Sequence, residues 1–292
     1  MLSLLVPVYN YNVTELIESL HTQCTESNIA FEIIIVDDGS QKDFITQNEK
    51  LTVLPDCRFM VNEQNLGRTM TRKKLAELAQ YETLLFLDAD VIPVSKDYIK
   101  NYIPYIKKEY PVVFGGVFYK DETVSREIIL RHKYGRYREQ KDAAYRNTIP
   151  YSTVFSANLM IDRQVFLKNN YSGSNSFYGM DNYFSYMLYR NNIRVHHIDN
   201  PVYHIGLEEN SIFFEKCLKS VRIRKELLSK EEDIESINSL LKHYKNLKKY
   251  HLAGVVSFFF KIGEPVLKKM ILSKNPNLFS LDLYRLGYIC SL

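Results

Sequence analysis

"TLLFLDAD", residues 83–90, is the stretch that decides how this chain is read. Leu84 to Leu87 are apolar without a break. The run then stops on Asp88, and a second carboxylate, Asp90, follows one alanine later. An apolar run with no polar alternation marks a strand buried on both faces, and such strands belong to parallel sheets covered by helices. Three similar runs precede it: "LSLLVPVY" (2–9), "FEIIIVDDGS" (31–40) and "CRFMVNEQN" (57–65). Between them, "TELIESLHTQC" (14–24) sets Leu16, Ile17 and Leu20 at helical spacing behind Thr14 as N-cap, and "TMTRKKLAELA" (69–79) reads as another helix. Strand and helix in alternation predict an α/β fold, a mainly parallel sheet with helices on both faces. Ligands bind such sheets beyond the carboxyl ends of the strands. The polar clusters after Tyr9, Asp37, Asn62 and Asp88 all fall at such ends.

The composition is that of an ordinary globular chain: 292 residues, 46% hydrophobic and 25% charged. Four scattered cysteines with no C-x-x-C pair predict reduced, structural thiols in a cytoplasmic protein. "MLSLLVPVYN" reaches Pro7 with no basic segment before it, which predicts an immediate strand and no signal peptide. The longest uncharged apolar run lies near "LAGVVSFFF" (252–260), well short of the roughly 20 residues that span a bilayer. Formal net charge is +4, but Ser211–Leu292 alone carries fifteen Lys/Arg against eight Asp/Glu. Such a tail suits peripheral contact with an anionic membrane face, or plain helix packing. Taken alone it also suits nucleic acid, but nothing in residues 1–205 supports that partner, and none is expected.

The middle of the chain continues the pattern less regularly. "PVVFGGVFY" (111–119) is a strand, residues 124–147 are polar and partly helical, and "STVFSANLMIDRQVFLKNN" (152–170) gives strand then helix. "FYGMDNYFSYMLYRNN" (177–192) opens a helix with Asp181 in its first turn and Phe184, Met187 and Leu188 on one face. "IRVHHIDNPVYHIG" (193–206) is a strand followed by a segment ending near His204. From Ser211 the chain reads as basic amphipathic helices. The expected organisation is an α/β domain over 1–210, with halves at 1–100 and 101–210, and a helical extension at 211–292.

Several residues suggest chemistry. Residues i and i+2 of an extended chain face the same way, roughly 6–7 Å apart, so Asp88 and Asp90 are spaced to meet one divalent cation. Hard cations such as Mg²⁺ and Mn²⁺ bridge carboxylates to phosphate oxygens. The same pair also reads as an acidic turn or helix cap. Asp37-Asp38-Gly39-Ser40 is either a turn or a carboxylate set to accept from a base or ribose. His204 is either a packed residue or an imidazole ligand, better suited to Mn²⁺ than to Mg²⁺. His196 and His197 would point to opposite faces of a strand and are weaker candidates.

Taken in order, "VPVYN" (6–10), "IIIVDDGS" (33–40), "NLGRTMTR" (65–72) and "LLFLDADVIP" (84–93) resemble the inverting glycosyltransferases of family 2 over roughly residues 2–205. The resemblance implies a GT-A, Rossmann-like fold and transfer of a sugar from a nucleoside diphosphate sugar, UDP-linked above all, with Mn²⁺ or Mg²⁺. Its acceptor would be a glycan or glycolipid, as in polysaccharide biosynthesis. Pro7, Val8 and Tyr9 match the first nucleotide-binding segment, Asp38 the acid at the base, and Arg72 the arginine near the nucleotide, here followed by Lys73. Asp88 and Asp90 match the metal-binding D-x-D, with Asp88 also touching the nucleotide. His204 matches the place of a third metal ligand. "FYGMDNYF" (177–184) resembles the family's G-x-E-D segment, with Met180 replacing the glutamate and Asp181 standing where the general base is expected. "SANLMIDRQVF" followed by "GMDNYF" resembles the acceptor side of galactosyltransferase-like members, which points to galactose or an N-acetylhexosamine. A sugar nucleotidyltransferase and a non-catalytic nucleotide-sugar-binding protein are the alternatives. The first would carry a Gly-rich loop where "YNYNVTE" (9–15) stands.

Overall fold

A computed structural model of the chain describes residues 1–106, 109–173 and 177–292. The first hundred residues run β1 (Leu2–Val8), α1 (Thr14–Glu26), β2 (Phe31–Asp37), α2 (Lys42–Glu49), β3 (Cys57–Val61), α3 (Arg68–Leu78), β4 (Thr83–Leu87), β5 (Val91–Pro93) and α4 (Tyr98–Tyr102). The middle adds β6 (Val112–Phe114), β7 (Val117–Phe118), α5 (Ile129–Tyr134), α6 (Ala143–Thr148), β8 (Asn158–Asp162), α7 (Arg163–Asn169), α8 (Asp181–Arg190), β9 (Val195–His197) and β10 (Val202–His204). Four longer helices follow: α9 (Asn210–Leu228), α10 (Ser239–Lys249), α11 (Ala253–Ile271) and α12 (Leu278–Ser291). Two compact units share the chain. The first takes Met1–Phe118, Lys141–Ser176 and Met187–Gly206, and the second takes the remaining segments.

The first unit is built on a seven-stranded sheet in the order β3-β2-β1-β4-β8-β6-β9. β1 pairs in parallel with β2 and β4, and β2 with β3, while β8 runs antiparallel between β4 and β6. Leu4, Leu5, Val6, Ile33 to Val36 and Leu84 to Leu87 have no exposed surface. That is the burial on both faces that unbroken apolar strands require. One detail differs from expectation. Thr14 is the first residue of α1 rather than its cap, because the Asn12 side chain already accepts the Thr14 N–H at 2.9 Å. An Asn two residues ahead of an amide closes a local turn more readily than Thr caps it.

A second sheet, β5-β10-β7, carries three strands of two or three residues each. Strands this short show no periodicity, so β5 and β10 carry no signal of their own, and the single strand expected over 111–119 is split at Gly115-Gly116 into β6 of the large sheet and β7 of the small one. Asn158, fully buried at the start of β8, ties this small sheet down. Its Oδ1 accepts from the Tyr98 and Tyr102 hydroxyls at 2.6 and 2.7 Å. Its Nδ2 donates to the carbonyls of Gly116 and Asn200 at 2.8 and 2.9 Å, the residues just before β7 and β10. Asn158→Ala removes a partner from each of four buried polar groups, of which the Gly116 carbonyl keeps the Val202 N–H at 3.2 Å, and a buried polar group left unsatisfied costs about 1–3 kcal/mol. The denaturant midpoint is therefore expected to fall by the equivalent of about 3 kcal/mol or more with an unchanged slope. An unaltered midpoint would dismiss this anchoring role.

The second unit is helical. Leu130 of α5, Phe213, Phe214 and Cys217 of α9, Ile271 of α11, and Leu278, Leu281 and Tyr284 of α12 form its core. α10 and α12 start on asparagine caps, where Asn238 accepts from the Leu241 N–H and Asn277 from the Ser280 N–H. Gly287 of α12 lets α11 approach closely, since a Cβ there would lie 2.3 Å from the Phe260 ring. Arg131 is buried between Tyr119, which accepts from it at 2.7 Å, and Glu139 at 3.0 Å. All four cysteines of the chain are free thiols, and burial raises Cys24 to about 12 and Cys57 to about 11.

Candidate active site

The carboxyl ends of β1, β2, β3 and β4 are stitched side by side. The Asp38 N–H donates to the Val8 carbonyl at 2.7 Å, and the Asn62 N–H to the Asp37 carbonyl at 2.8 Å. Val8 is buried in the sheet, while Tyr9, the next residue, is 55% exposed beyond its end. Pro7 pairs with Val36 inside the ladder. Pro7, Val8 and Tyr9 thus lie at the carboxyl edge of the sheet beside Asp37 and Asp38.

Asp38 is buried and heavily engaged. Asn62 Nδ2 and the Leu66 N–H donate to its Oδ1, and the Gly67 N–H to its Oδ2, all at 2.8 Å. Gly67, at φ 80°, leads into α3 in a conformation that side chains resist. Asp38 therefore fixes the turn from which α3 projects Arg68 and Arg72. Its neighbour Asp37 accepts the Ser40 N–H at 2.7 Å and closes the turn that D-G-S suggested.

Asp88 sits just past β4 and is nearly buried. Arg68 Nη2 donates to its Oδ2 at 2.6 Å, and Arg72 Nη2 donates to its Oδ1. The Arg72 side chain is 8% exposed and the Arg68 side chain 56%, so Arg72 is the fixed partner and Arg68 reaches in from solvent. Burial alone would raise the Asp88 carboxyl. The charges of Arg68 and Arg72, the Arg72 hydrogen bond and the nearby His204 outweigh it and hold the pKa at about 2. Asp88 is thus an anion at any neutral pH. Arg68 is a participant that the sequence reading did not single out, although it lies inside "NLGRTMTR".

Asp90 meets His204 across the small sheet. β10 pairs with β5 so that His204 lies opposite Val91, and His204 Nε2 comes within 3.5 Å of Asp90 Oδ2. The Ile205 N–H donates to the Asp90 carbonyl at 2.9 Å. A Cβ at Gly206 would stand 2.4 Å from Asp90 Oδ2, so only glycine leaves the carboxylate where it is. Tyr11 lies close by. Its phenol is raised first by burial, then by the charges of Asp90 and Glu15. Neither Gly206 nor Tyr11 stands out in sequence, because their importance comes from proximity to Asp90 across a long loop. Gly206→Ala is expected to displace the Asp90 carboxylate from His204 at a near-normal melting temperature, seen as moved ring signals of His204 in NMR spectra. Signals that matched the wild type would free Asp90 of that dependence.

The other candidates fall elsewhere. His197 is buried, with Nε2 bonded to the Pro150 carbonyl at 2.8 Å, and burial lowers its pKa to about 4. His196 stacks on Tyr110 at 4.4 Å between ring centroids. Both are packing residues. Asp181 begins α8 in the second unit. The turn before it depends on Gly179, at φ 90°, whose missing Cβ leaves room for Ser220 of α9. Asn182 Nδ2 reaches back to the Gly179 carbonyl at 3.1 Å and anchors the same turn.

Among the described residues, no group of three or more His, Cys, Asp or Glu side chains is close enough to enclose a metal ion. The donor set nevertheless fits one held in part by substrate. Asp90 and His204 offer one oxygen and one nitrogen at close quarters, a combination suited to Mn²⁺, with Gly206 leaving the Asp90 carboxylate unobstructed on its side. Asp88, with both oxygens on arginines, is held as a counter-ion in this arrangement.

Residues 3–168, more than half of the chain, match the sequence profile of the family described as "Glycosyl transferase family 2". The chain belongs to that family of sugar transferases. Among solved structures it is similar to the mannosyltransferase PcManGT from Pyrobaculum calidifontis in complex with GDP-Man and Mn²⁺, with a TM-score of 0.61 and 13% identity over 99% of this chain and 85% of that one. It is also similar to S. aureus TarS 1–349 in complex with UDP-GlcNAc, with a TM-score of 0.52 and 17% identity over 99% of this chain and 89% of that one. Against a longer S. aureus TarS chain the TM-score is 0.50 at 19% identity, covering 80% of this chain and 41% of that one, so this chain spans about two fifths of its length. At these identities the likeness is one of fold, and the fold is GT-A: a mainly parallel sheet flanked by helices, with a helical C-terminal region. No curated protein matches the chain by sequence. No helix among the described residues is long and apolar enough to cross a membrane.

Proposed function

We propose that this protein is an inverting, metal-dependent hexosyltransferase that moves a sugar from a UDP-sugar to a hydroxyl of a glycan or glycolipid. The observation that carries the reading is the convergence, at one edge of the sheet, of Arg68 and Arg72 on Asp88 and of His204 on Asp90. Cations beside fixed carboxylates at strand ends suit a nucleoside diphosphate, whose phosphates take the arginines and whose metal takes the carboxylate. The nucleotide-sugar complexes of TarS and PcManGT agree with this class of donor. In this reading residues 1–100 bind the nucleotide, 101–210 serve the acceptor, and 211–292 form a helical extension.

The roles follow from the chemistry. Pro7, Val8 and Tyr9 form the nucleotide floor, and Asp38 holds the loop that faces the base. Arg72, aided by Arg68, meets the diphosphate. Asp90 and His204 would hold the divalent cation, with Asp88 beside them as the counter-ion of the two arginines. A cation bound there would neutralise the charge that grows on the departing diphosphate. Asp181 accepts the proton of the acceptor hydroxyl as its oxygen bonds to the anomeric carbon. The bond from that carbon to the diphosphate oxygen breaks on the opposite face, its electron pair leaves with the nucleotide, and the anomeric configuration inverts.

A donor screen tests this. UDP release from a panel of UDP-hexoses and UDP-N-acetylhexosamines is measured with Mn²⁺ and with chelator, and one UDP-sugar is expected to turn over only with metal. Pyrophosphate release from UTP and a sugar phosphate would replace this reading with a nucleotidyltransferase. Tight UDP-sugar binding with no turnover on any acceptor would leave a binding protein.

A further inference from the structure

α11 is apolar on two sides. Its inner side packs through Phe260 and Leu267 on the core of the second unit. Its outer side presents Val255, Phe258, Phe259, Ile262, Val266 and Met270 to solvent, with Phe258, Phe259, Ile262 and Val266 all more than 60% exposed. At 3.6 residues per turn these six fall on one stripe about 120° wide that runs the length of the helix. A helix that is apolar nearly all round is normally enclosed, and a patch of this size on a soluble surface marks a binding face.

The charges around the stripe say what covers it. From Lys245 to Lys274 inclusive the chain carries seven lysines and one acid, Glu264. Glu264 is turned inward, where it accepts from the Tyr284 hydroxyl at 2.6 Å. On α11 itself Lys261 is exposed on the flank of the stripe and Lys269 is exposed within its C-terminal end, and Lys248 and Lys249 are exposed at the end of α10. A second copy docked on this face would bring lysines against lysines with no carboxylate to pair them. A surface that is apolar below and anionic above matches both features, and a bilayer with acidic headgroups is such a surface. The helix does not cross the bilayer, because its 19 residues include Lys261, Glu264, Pro265, Lys268 and Lys269.

We infer that the outer face of α11 seats the protein on an anionic lipid bilayer, with the helix in the plane of the interface, its phenylalanines among the acyl chains and its lysines at the headgroup phosphates. This goes beyond the transferase reading and does not depend on it. It presents the protein where a lipid-linked acceptor would lie.

The test is flotation of the full chain with vesicles of phosphatidylcholine alone or with about one third phosphatidylglycerol, at low and high salt. The wild type is expected to float with the acidic vesicles at low salt and to stay at the bottom with neutral ones. Phe258→Ser with Phe259→Ser should weaken partitioning by about 100-fold, the equivalent of two buried phenyl groups. Lys261→Gln with Lys269→Gln should weaken it by about tenfold or more. Both pairs lie on the exposed face, so circular dichroism should show wild-type melting, and the lysine pair decides if the phenylalanine pair does not fold. Three results would overturn the inference: a wild type that floats with neither vesicle, variants that float like the wild type, or a dimer in sedimentation that Phe258→Ser with Phe259→Ser splits into monomers.

Discussion

Asp181→Asn is expected to lower transfer by about 10³-fold while donor affinity stays within about twofold of wild type. Asparagine keeps the size of the side chain and its place at the start of α8, and the Gly179 turn and the Asn182 bond that shape this terminus remain. What it loses is the capacity to hold a proton. A displacement at the anomeric carbon needs that capacity only as the acceptor oxygen attacks, so the loss falls on kcat and not on ground-state donor binding. The measurement pairs single-turnover transfer with calorimetric UDP-sugar binding. Transfer within threefold of wild type would assign the base to another residue. A matched fall in donor binding would make Asp181 a donor-site residue instead.

Asp90→Asn addresses the other half of the chemistry. It replaces the proposed metal-binding carboxylate with a neutral amide opposite His204, where the partner is an imidazole and not a second carboxylate. Hard divalent cations depend on carboxylate oxygen, so UDP affinity in Mn²⁺ is expected to fall by about 100-fold, down to the level the wild type shows in chelator. Asp88→Asn differs in kind. Asp88 is held by Arg68 and Arg72, so its removal leaves a buried arginine unpaired and costs stability as well as binding. A drop in melting temperature for Asp88→Asn beside a normal one for Asp90→Asn would separate the arginine-anchoring acid from the metal-facing one. Equal UDP affinities in Mn²⁺ for wild type and Asp90→Asn would remove Asp90 from the metal site.

Much of the site was readable because it sits at strand ends. Unbroken apolar runs announce buried parallel strands, and the first polar residue after each run must lie at the sheet edge where ligands bind. Asp38 and Asp88 are candidates of this kind, and Arg72 is one through the ordered motifs. Three donors from 62–67 use the Asp38 carboxylate, so it shapes the turn into the arginine-bearing helix, a task its place after β2 does not announce. Arg68 was missed because a helix's first residue, four before a recognised arginine, carries no signal of its own. Gly206 and Tyr11 were missed because their effect is on Asp90, far away in sequence.

The sequence by itself determined the alternating α/β plan, the sheet edge that carries the polar clusters, the family, and the basic, apolar character of the tail. These are local properties: periodicity, run length and residue order survive without any knowledge of contacts. Only the tertiary structure decided that His204 meets Asp90 while His196 and His197 pack away, that two arginines claim Asp88, and that one side of α11 is left uncovered. Each of these depends on which strand pairs with which and on which helix face is already occupied. Pairing and occupancy are fixed by long-range packing, to which a linear pattern has no access.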